Sequence, residues 1–315
     1  MFMNYQPVLL PKLAEIHASY TSPTKGMTAF PVEHWEMLFT HPDVDPSRDL
    51  FIAARIDIDG NNIPVGFAWL YNRPAEKRSF MRGPFISPSD PDCLEILEAM
   101  CAKSIERAKE LEVDFIESRS LYNPWAEQYN RMGFVKMGDY ERWRLFPLRG
   151  AIELARTPSE LAVRNWSGND DIPILMRLFT EAFSEHWDFV PPRRESFEEL
   201  TRDRYFEKKL TLIAEYEGKP AGYIMGQSIP DPSTLSLRAA YLVSIGLGKE
   251  YRGRGLGKVL MSRWLRAVYD SGLRAAELDL DSLNTAAKRL YGSFGFMRQR
   301  TEGIWRFYLM DETKR

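Results

Sequence analysis

The sequence predicts an α/β protein made of two tandem copies of one fold, each a mixed, mostly antiparallel sheet flanked by helices. Three observations carry that expectation. Strand-like runs alternate with amphipathic helical stretches along the whole length. The second half repeats the first at a single displacement. An apolar extended run, residues 241–247, enters a glycine-rich turn that opens directly into a helix. At 315 residues, 44% of them hydrophobic and 27% charged, the chain can bury two cores of ordinary size.

Residues 8–20 read as a first helix, so any opening strand is short or absent. The turn-rich segment Ser22-Pro23-Thr24-Lys25-Gly26 leads to a short helix at 32–39. Strands are expected at 50–58 and 64–71, around the turn Asp59-Gly60-Asn61-Asn62, and again at 79–86. A long helix at 92–111 presents Leu94, Leu97, Cys101 and Ile105 on one face. A strand at 113–117, a helix at 124–132 and a closing strand at 142–148 complete the first copy.

The order then starts again. A strand at 161–166 is followed by the helix-start signal Ser167-Gly168-Asn169-Asp170 and a helix at 172–183. A second helix at 195–203 precedes the strand pair 210–216 and 221–228. After the run 241–247 and its helix come a strand at 276–280, a helix from Asn284 and a last strand at 304–310. Displaced by 162 residues, Tyr291 falls on Tyr129, Gly295-Phe296 on Gly133-Phe134, Trp305-Arg306 on Trp143-Arg144 and Phe197 on Trp35. With a small indel, Ile213-Ala214 and Pro220-Ala221-Gly222-Tyr223 match Ile52-Ala53 and Pro64-Val65-Gly66-Phe67. One displacement that serves helix, turn and strand alike marks a duplication. The division falls at 149–158, giving expected domains of 1–150 and 151–315.

A net charge of −2 gives no reason to expect nucleic acid or an anionic membrane as partner. Cys93 and Cys101 lie in one expected helix, which excludes a disulfide scaffold and suits a reducing cytoplasm. No apolar run approaches spanning length, and none of signal-peptide type follows Met1. His17, His34, His41 and His186 are scattered without metal-ligand spacing, so no metal is assigned.

The turn is Tyr251-Arg252-Gly253-Arg254-Gly255-Leu256-Gly257-Lys258, and its helix carries Leu256, Val259, Leu260, Trp264 and Ala267 on one face. Glycines at such a junction let the backbone approach a ligand, and the first helical amides are left unpaired. Those amides and the helix dipole favour an anion, most naturally a phosphate. Arg252 and Arg254 add positive charge. A Walker loop would need Gly at 252 and Ser or Thr at 259, where Arg252 and Val259 stand. A dinucleotide fingerprint would need Gly at 258, where Lys258 stands.

These residues give the second half a resemblance to the GNAT superfamily of N-acetyltransferases. The family signature Arg/Gln-x-x-Gly-x-Gly/Ala appears as Arg252-Gly253-Arg254-Gly255-Leu256-Gly257, and the stretch from Asn284 to Tyr291-Gly292-Ser293-Phe294-Gly295-Phe296 is similar to its second motif. The tandem layout is similar to that of mycothiol synthase, which acetylates a small-molecule amine. The resemblance implies acetyl-CoA as acyl donor, its pyrophosphate on the amides of residues 253–258 and its pantetheine arm added like a strand along Ile245, Gly246 and Leu247. It further implies direct transfer to a primary amine, with the oxyanion on a backbone amide near Ile245–Leu247 and Tyr291 protonating the thiolate. Tyr291 also reads as a core aromatic beside Phe294 and Phe296, and Asn284 as a helix cap as well as a cofactor contact. Glu215, Glu277, Asp279 and Asp281 are candidate bases that alternation alone does not separate. The segment Glu185-His186-Trp187-Asp188-Phe189 lies where family members build the acceptor pocket, and ordinary loop packing also accounts for it.

The first half resembles the family in architecture alone. At the same displacement Arg252, Gly255 and Gly257 fall on Asp90, Cys93 and Glu95, so acids stand where a pyrophosphate would sit. The first copy is therefore expected to have lost CoA binding and to keep a structural or pocket-forming role, with Tyr129 as a remnant. The leading expectation is a cytoplasmic N-acetyltransferase, monomer or homodimer, with a catalytic second domain. A non-catalytic acyl-CoA sensor and a peptide N-terminal acetyltransferase are the alternatives.

Overall fold

A computed structural model describes residues 1–21, 30, 32–40, 44–120, 124–148, 155–230 and 238–309, the side chains of residues 34, 37, 75 and 124 excepted. The segment 22–26, the end of the last expected strand at Met310 and most of the expected division at 149–158 lie outside the described residues. The chain forms two compact units. The first is Met1–Glu141 with Asp281–Leu283 and Arg300–Arg315; the second is Arg142–Leu280 with Asn284–Gln299.

In the first unit β1 (Phe2–Met3) precedes α1 (Leu10–Thr21), α2 (Val32–Phe39) and α3 (Pro46–Asp49). β2 (Leu50–Ile56), β3 (Asn62–Arg73), β4 (Arg78–Ile86), α4 (Cys93–Glu110), β5 (Phe115–Ser120), α5 (Pro124–Arg131) and the start of β6 (Val135–Leu145) follow. The second unit holds β7 (Leu161–Asn165), α6 (Ile172–Phe183), α7 (Arg194–Arg202), β8 (Phe206–Tyr216), β9 (Lys219–Pro230), β10 (Arg238–Leu247), α8 (Leu256–Asp270), β11 (Ala276–Asp281) and α9 (Thr285–Gly292). β12 (Met297–Tyr308) ends the described chain in the first unit.

The two units have matching strand orders: β1-β2-β3-β4-β5-β12 in the first and β7-β8-β9-β10-β11-β6 in the second. Each has one parallel pair, β4 with β5 and β10 with β11. Each closes on a strand from the other half of the sequence. Tyr308 to Gly303 runs antiparallel to Phe115 to Ser120 in the first unit, and β6 lies beside β11 in the second. No periodicity signals such an exchange, because period records which residues share a face and not which sheet the strand joins.

Each sheet is covered on both faces, as the near-continuous burial of its central strands requires. In the first unit α1 and α2 enclose Trp35, Phe39, Phe67 and Trp69 on one face, and α4 and α5 enclose Leu97, Met100, Tyr129 and Phe134 on the other. The expected face of α4 needs one correction. Leu94 is 44% exposed, in the first turn ahead of the stretch that meets the sheet, and the buried stripe is Leu97, Met100, Cys101, Ser104 and Ala108.

In the second unit α6 and α7 cover Ile213, Tyr223 and Met225 with Leu175, Leu178 and Phe197. On the opposite face α8 buries the expected Leu256, Val259, Leu260 and Trp264, with Ala267 packed against them. Trp264 donates its indole N–H to the Leu210 carbonyl at 3.1 Å. A side chain at Gly226 would stand 2.7 Å from that ring, so the glycine lets the indole lie flat on β9. Trp264→Ala would cost about 3–5 kcal/mol by the usual penalty for emptying a core site of this size.

Candidate active site

The turn into α8 leaves its backbone amides open. Gly253 and Gly255 take φ of 76° and 79°, left-handed values that disfavour side chains, and Gly255 is the N-cap. No side chain caps this helix. Among the described residues the amides of 253–257 make no hydrogen bond, and the first engaged one is Lys258 N–H, to Gly255 O at 3.0 Å. These open donors sit at the positive end of a 15-residue helix, which fits a pyrophosphate. Residues 252–255 and Lys258 are exposed, Gly257 half-buried and Leu256 buried as the first core contact.

Arg252 does something other than what its charge suggests. Its guanidinium donates to the carbonyls of Glu181 (2.8 Å) and Ala182 (3.2 Å), and its Nε to Leu247 O at 3.4 Å. It thus satisfies orphan carbonyls at the C-terminus of α6, where the dipole favours a cation, and fastens the turn to that helix. Arg254 lies over the rings of Tyr216 and Tyr251, at 5.5 and 5.9 Å from their centroids.

The run before the turn opens a gap in the sheet. β10 pairs with β11 only from Ala240 to Leu242. A bulge at Val243 then intervenes, since Leu242 faces Gly226 and Ser244 faces Met225 on β9. From Ser244 to Leu247 the strand keeps β9 and has left β11, so Ile245, Gly246 and Leu247 border the opening. Nothing in the residue types marks the bulge. Gly246 is the nearest cue: a side chain there would strike Tyr223 and Ala182 at 2.7 and 2.8 Å.

Tyr291 on α9 is 6% exposed and packs near Phe296, ring centroids 6.0 Å apart. Burial pushes its pKa well above the usual phenol value. Among the described residues its hydroxyl makes no hydrogen bond. Asn284 is exposed and its side chain accepts from Ala287 N–H at 2.9 Å, so its side-chain oxygen is committed to capping α9.

The four carboxylates are all engaged. Glu215 pairs with Arg164 at 2.8 Å, Glu277 with Arg142 at 3.1 Å and with Arg144, and Asp279 with Arg142 at 2.5 Å while accepting from the Tyr241 hydroxyl. Asp281 accepts from Leu283 N–H at 2.8 Å in the first unit. His186 is half-buried; its amide donates to Phe183 O, its Nδ1 accepts from Asp188 N–H at 3.1 Å, and its ring lies 5.4 Å from that of Trp187. Among the described residues no cluster of metal-ligating side chains occurs.

The first unit shows the same positions filled in. Asp90 and Asp92 stand at the start of α4, both held by Arg55 at 2.9 and 2.6 Å, and Asp90 accepts from Asp92 N–H. Tyr129 is fully buried, stacks on Trp305 and has its hydroxyl 3.0 Å from Ser118 Oγ. Ser118 follows Glu117, the partner of Arg306; in the second unit Leu278 follows Glu277, the partner of Arg144. The hydroxyl that engages Tyr129 is thus replaced by an apolar side chain near Tyr291.

The profile of the acetyltransferase (GNAT) family matches residues 172–296. Mycothiol acetyltransferase of Paenarthrobacter aurescens is 28% identical over 185 residues, 57% of this chain and 56% of that protein. The N-alpha-acetyltransferase MAK3 of Arabidopsis thaliana is 28% identical over 150 residues, 48% of this chain and 72% of that protein. The matched stretch thus spans little more than half of the mycothiol acetyltransferase. A solved tandem GNAT protein from the clavulanic acid biosynthesis pathway shares the fold with a TM-score of 0.71 at 14% identity, covering 99% of each chain. The family match thus covers residues 172–296, within the second half, and the whole chain shares its fold with that tandem GNAT protein.

Proposed function

We propose that the chain transfers the acetyl group of acetyl-CoA to the primary amine of a small molecule, using its second unit. The observation that carries this reading is the coincidence of three features in one unit: amides at 253–257 and a Tyr291 hydroxyl that make no hydrogen bond among the described residues, and an opened strand edge at Ile245–Leu247. The amides of 253–258 would receive the pyrophosphate, and Ile245–Leu247 the pantetheine arm. Acetyl-CoA supplies the thioester; everything else is done by the chain. A backbone amide of 245–247 stabilises negative charge developing on the thioester oxygen, an effect worth roughly 10²–10³ in rate for one donor in comparable sites. Tyr291, kept neutral by burial, gives its proton to the departing sulfur. Since Glu215, Glu277, Asp279 and Asp281 are all engaged, the nitrogen's proton goes to water.

The match to an N-alpha-acetyltransferase favours a second reading, acetylation of a peptide N-terminus. Release of free CoA thiol from acetyl-CoA, followed against a panel of small amines and of short peptides, separates the two. Turnover confined to small amines is expected. Turnover confined to peptides would replace the acceptor, and tight acetyl-CoA binding without turnover on any acceptor would make the chain an acyl-CoA sensor.

A further inference from the structure

Ser244 sits where the gap opens, the first residue after the bulge and half-buried. Its Oγ lies 2.7 Å from the hydroxyl of Tyr223, a fully buried side chain. The tyrosine reaches it because Gly246 has no side chain: a Cβ there would stand 2.7 Å from Tyr223 Cε1. Ser244 and Gly246 therefore share the face of β10 that meets Tyr223 and α6. Either hydroxyl can be the donor of that bond, and in both directions Ser244 Oγ keeps a lone pair outside it.

The first unit supplies an internal comparison. Tyr223 pairs with Gly246 and Gly226 with Leu242; Phe67 pairs with Phe85 and Leu70 with Met81. Counting between these anchors, Ser244, Ile245 and Gly246 correspond to Gly83, Pro84 and Phe85. The unit with acids at its helix start thus lacks both hydroxyls, has a proline without an amide donor at the next position, and carries a phenylalanine where the glycine admits Tyr223. Hydroxyl pair and cradle are present together in one unit and absent together in the other.

We propose that Ser244 is a catalytic residue that receives the incoming amine, accepting a hydrogen bond from the attacking nitrogen, and that Tyr223 is a positioning residue that fixes the direction of the Ser244 lone pair. This rests on the acetyltransferase reading above. As the N–C bond forms and the C–S bond breaks, Tyr291's proton goes to sulfur and the nitrogen's proton to water; Ser244 orients and transfers nothing.

The test is steady-state kinetics of Ser244→Ala, Ser244→Thr, Tyr223→Phe and the double variant Ser244→Ala/Tyr223→Phe, with acetyl-CoA affinity measured by direct titration. Ser244→Ala should lose roughly 10- to 100-fold in kcat/KM for the amine, the range of one hydrogen bond to a group gaining charge, with acetyl-CoA affinity unchanged. Ser244→Thr should recover most of it. Tyr223→Phe should lose less, and the double variant no more than Ser244→Ala, because the tyrosine acts through the serine. Full activity in Ser244→Ala, losses that multiply in the double variant, or a loss explained by weaker acetyl-CoA binding would each overturn the proposal while leaving the acetyltransferase reading intact. A wild-type chain that turns over no acceptor would overturn both.

Discussion

Tyr291 and Tyr129 match at the displacement of the repeat, and their neighbours differ. Ser118 engages the hydroxyl of Tyr129, whereas Leu278 follows the matching glutamate near Tyr291. A hydroxyl kept neutral by burial holds its proton at working pH, at the cost of a buried phenolate once it donates. Tyr291→Phe should therefore lower kcat by about 10²-fold, near the lower bound for a general acid, with acetyl-CoA affinity unchanged in a direct titration. The pH profile carries the sign. Because its pKa is raised, the active protonated form persists to higher pH than an ordinary phenol, whose value is about 10. The rate should show no Tyr291-dependent fall below that pH. A loss between pH 8 and 9 that disappears in Tyr291→Phe would contradict the assignment.

At the scale of elements, the turn before α8 joins two requirements that pull apart under mutation. Gly255 at φ 79° has open space where a side chain would go, so its replacement costs backbone strain. Gly255→Ala should cost about 1 kcal/mol of stability, and Gly255→Asp should in addition abolish acetyl-CoA binding by placing a carboxylate at the helix start. Arg252→Ala should instead lower the melting temperature and weaken acetyl-CoA binding together, because it releases the turn from the carbonyls of Glu181 and Ala182. A variant that weakens binding with no change in melting temperature would assign Arg252 to direct contact.

The helices of the second unit are readable from the chain because their cues are local. Residues 172–183 alternate with the right period, and Asn284 is a sound cap. The bulge at Val243 and the hydroxyl pair of Tyr223 and Ser244 are not readable, since each depends on which strand lies beside β10. The period of α4 puts Leu94 in its core, because period records the face of a helix and not where along its length the sheet begins. The sequence leaves the roles of Glu277 and Asp279 open for a related reason, and it does not show the carbonyls that Arg252 meets. Charge is visible in a sequence and its partner is not.

At the scale of the whole molecule, the repeat describes two copies of one fold, and the structure adds that each copy is completed by a strand from the other half. The first unit needs Trp305 against Tyr129 and Arg306 against Glu117, whose side chain is 1% exposed. Arg306→Ala would remove one cation from that buried carboxylate and should destabilise the first unit. Denaturant unfolding followed by far-UV circular dichroism should register it as a lower midpoint. An unchanged midpoint would mean that Glu117 finds another cation.

The proposed function requires that two copies of the fold hold one working cradle. Calorimetric titration of the intact chain with acetyl-CoA tests it most directly. One site per chain is expected, abolished by Gly255→Asp and unchanged by Asp90→Asn. Two sites per chain, or a single site that survives Gly255→Asp, would contradict it.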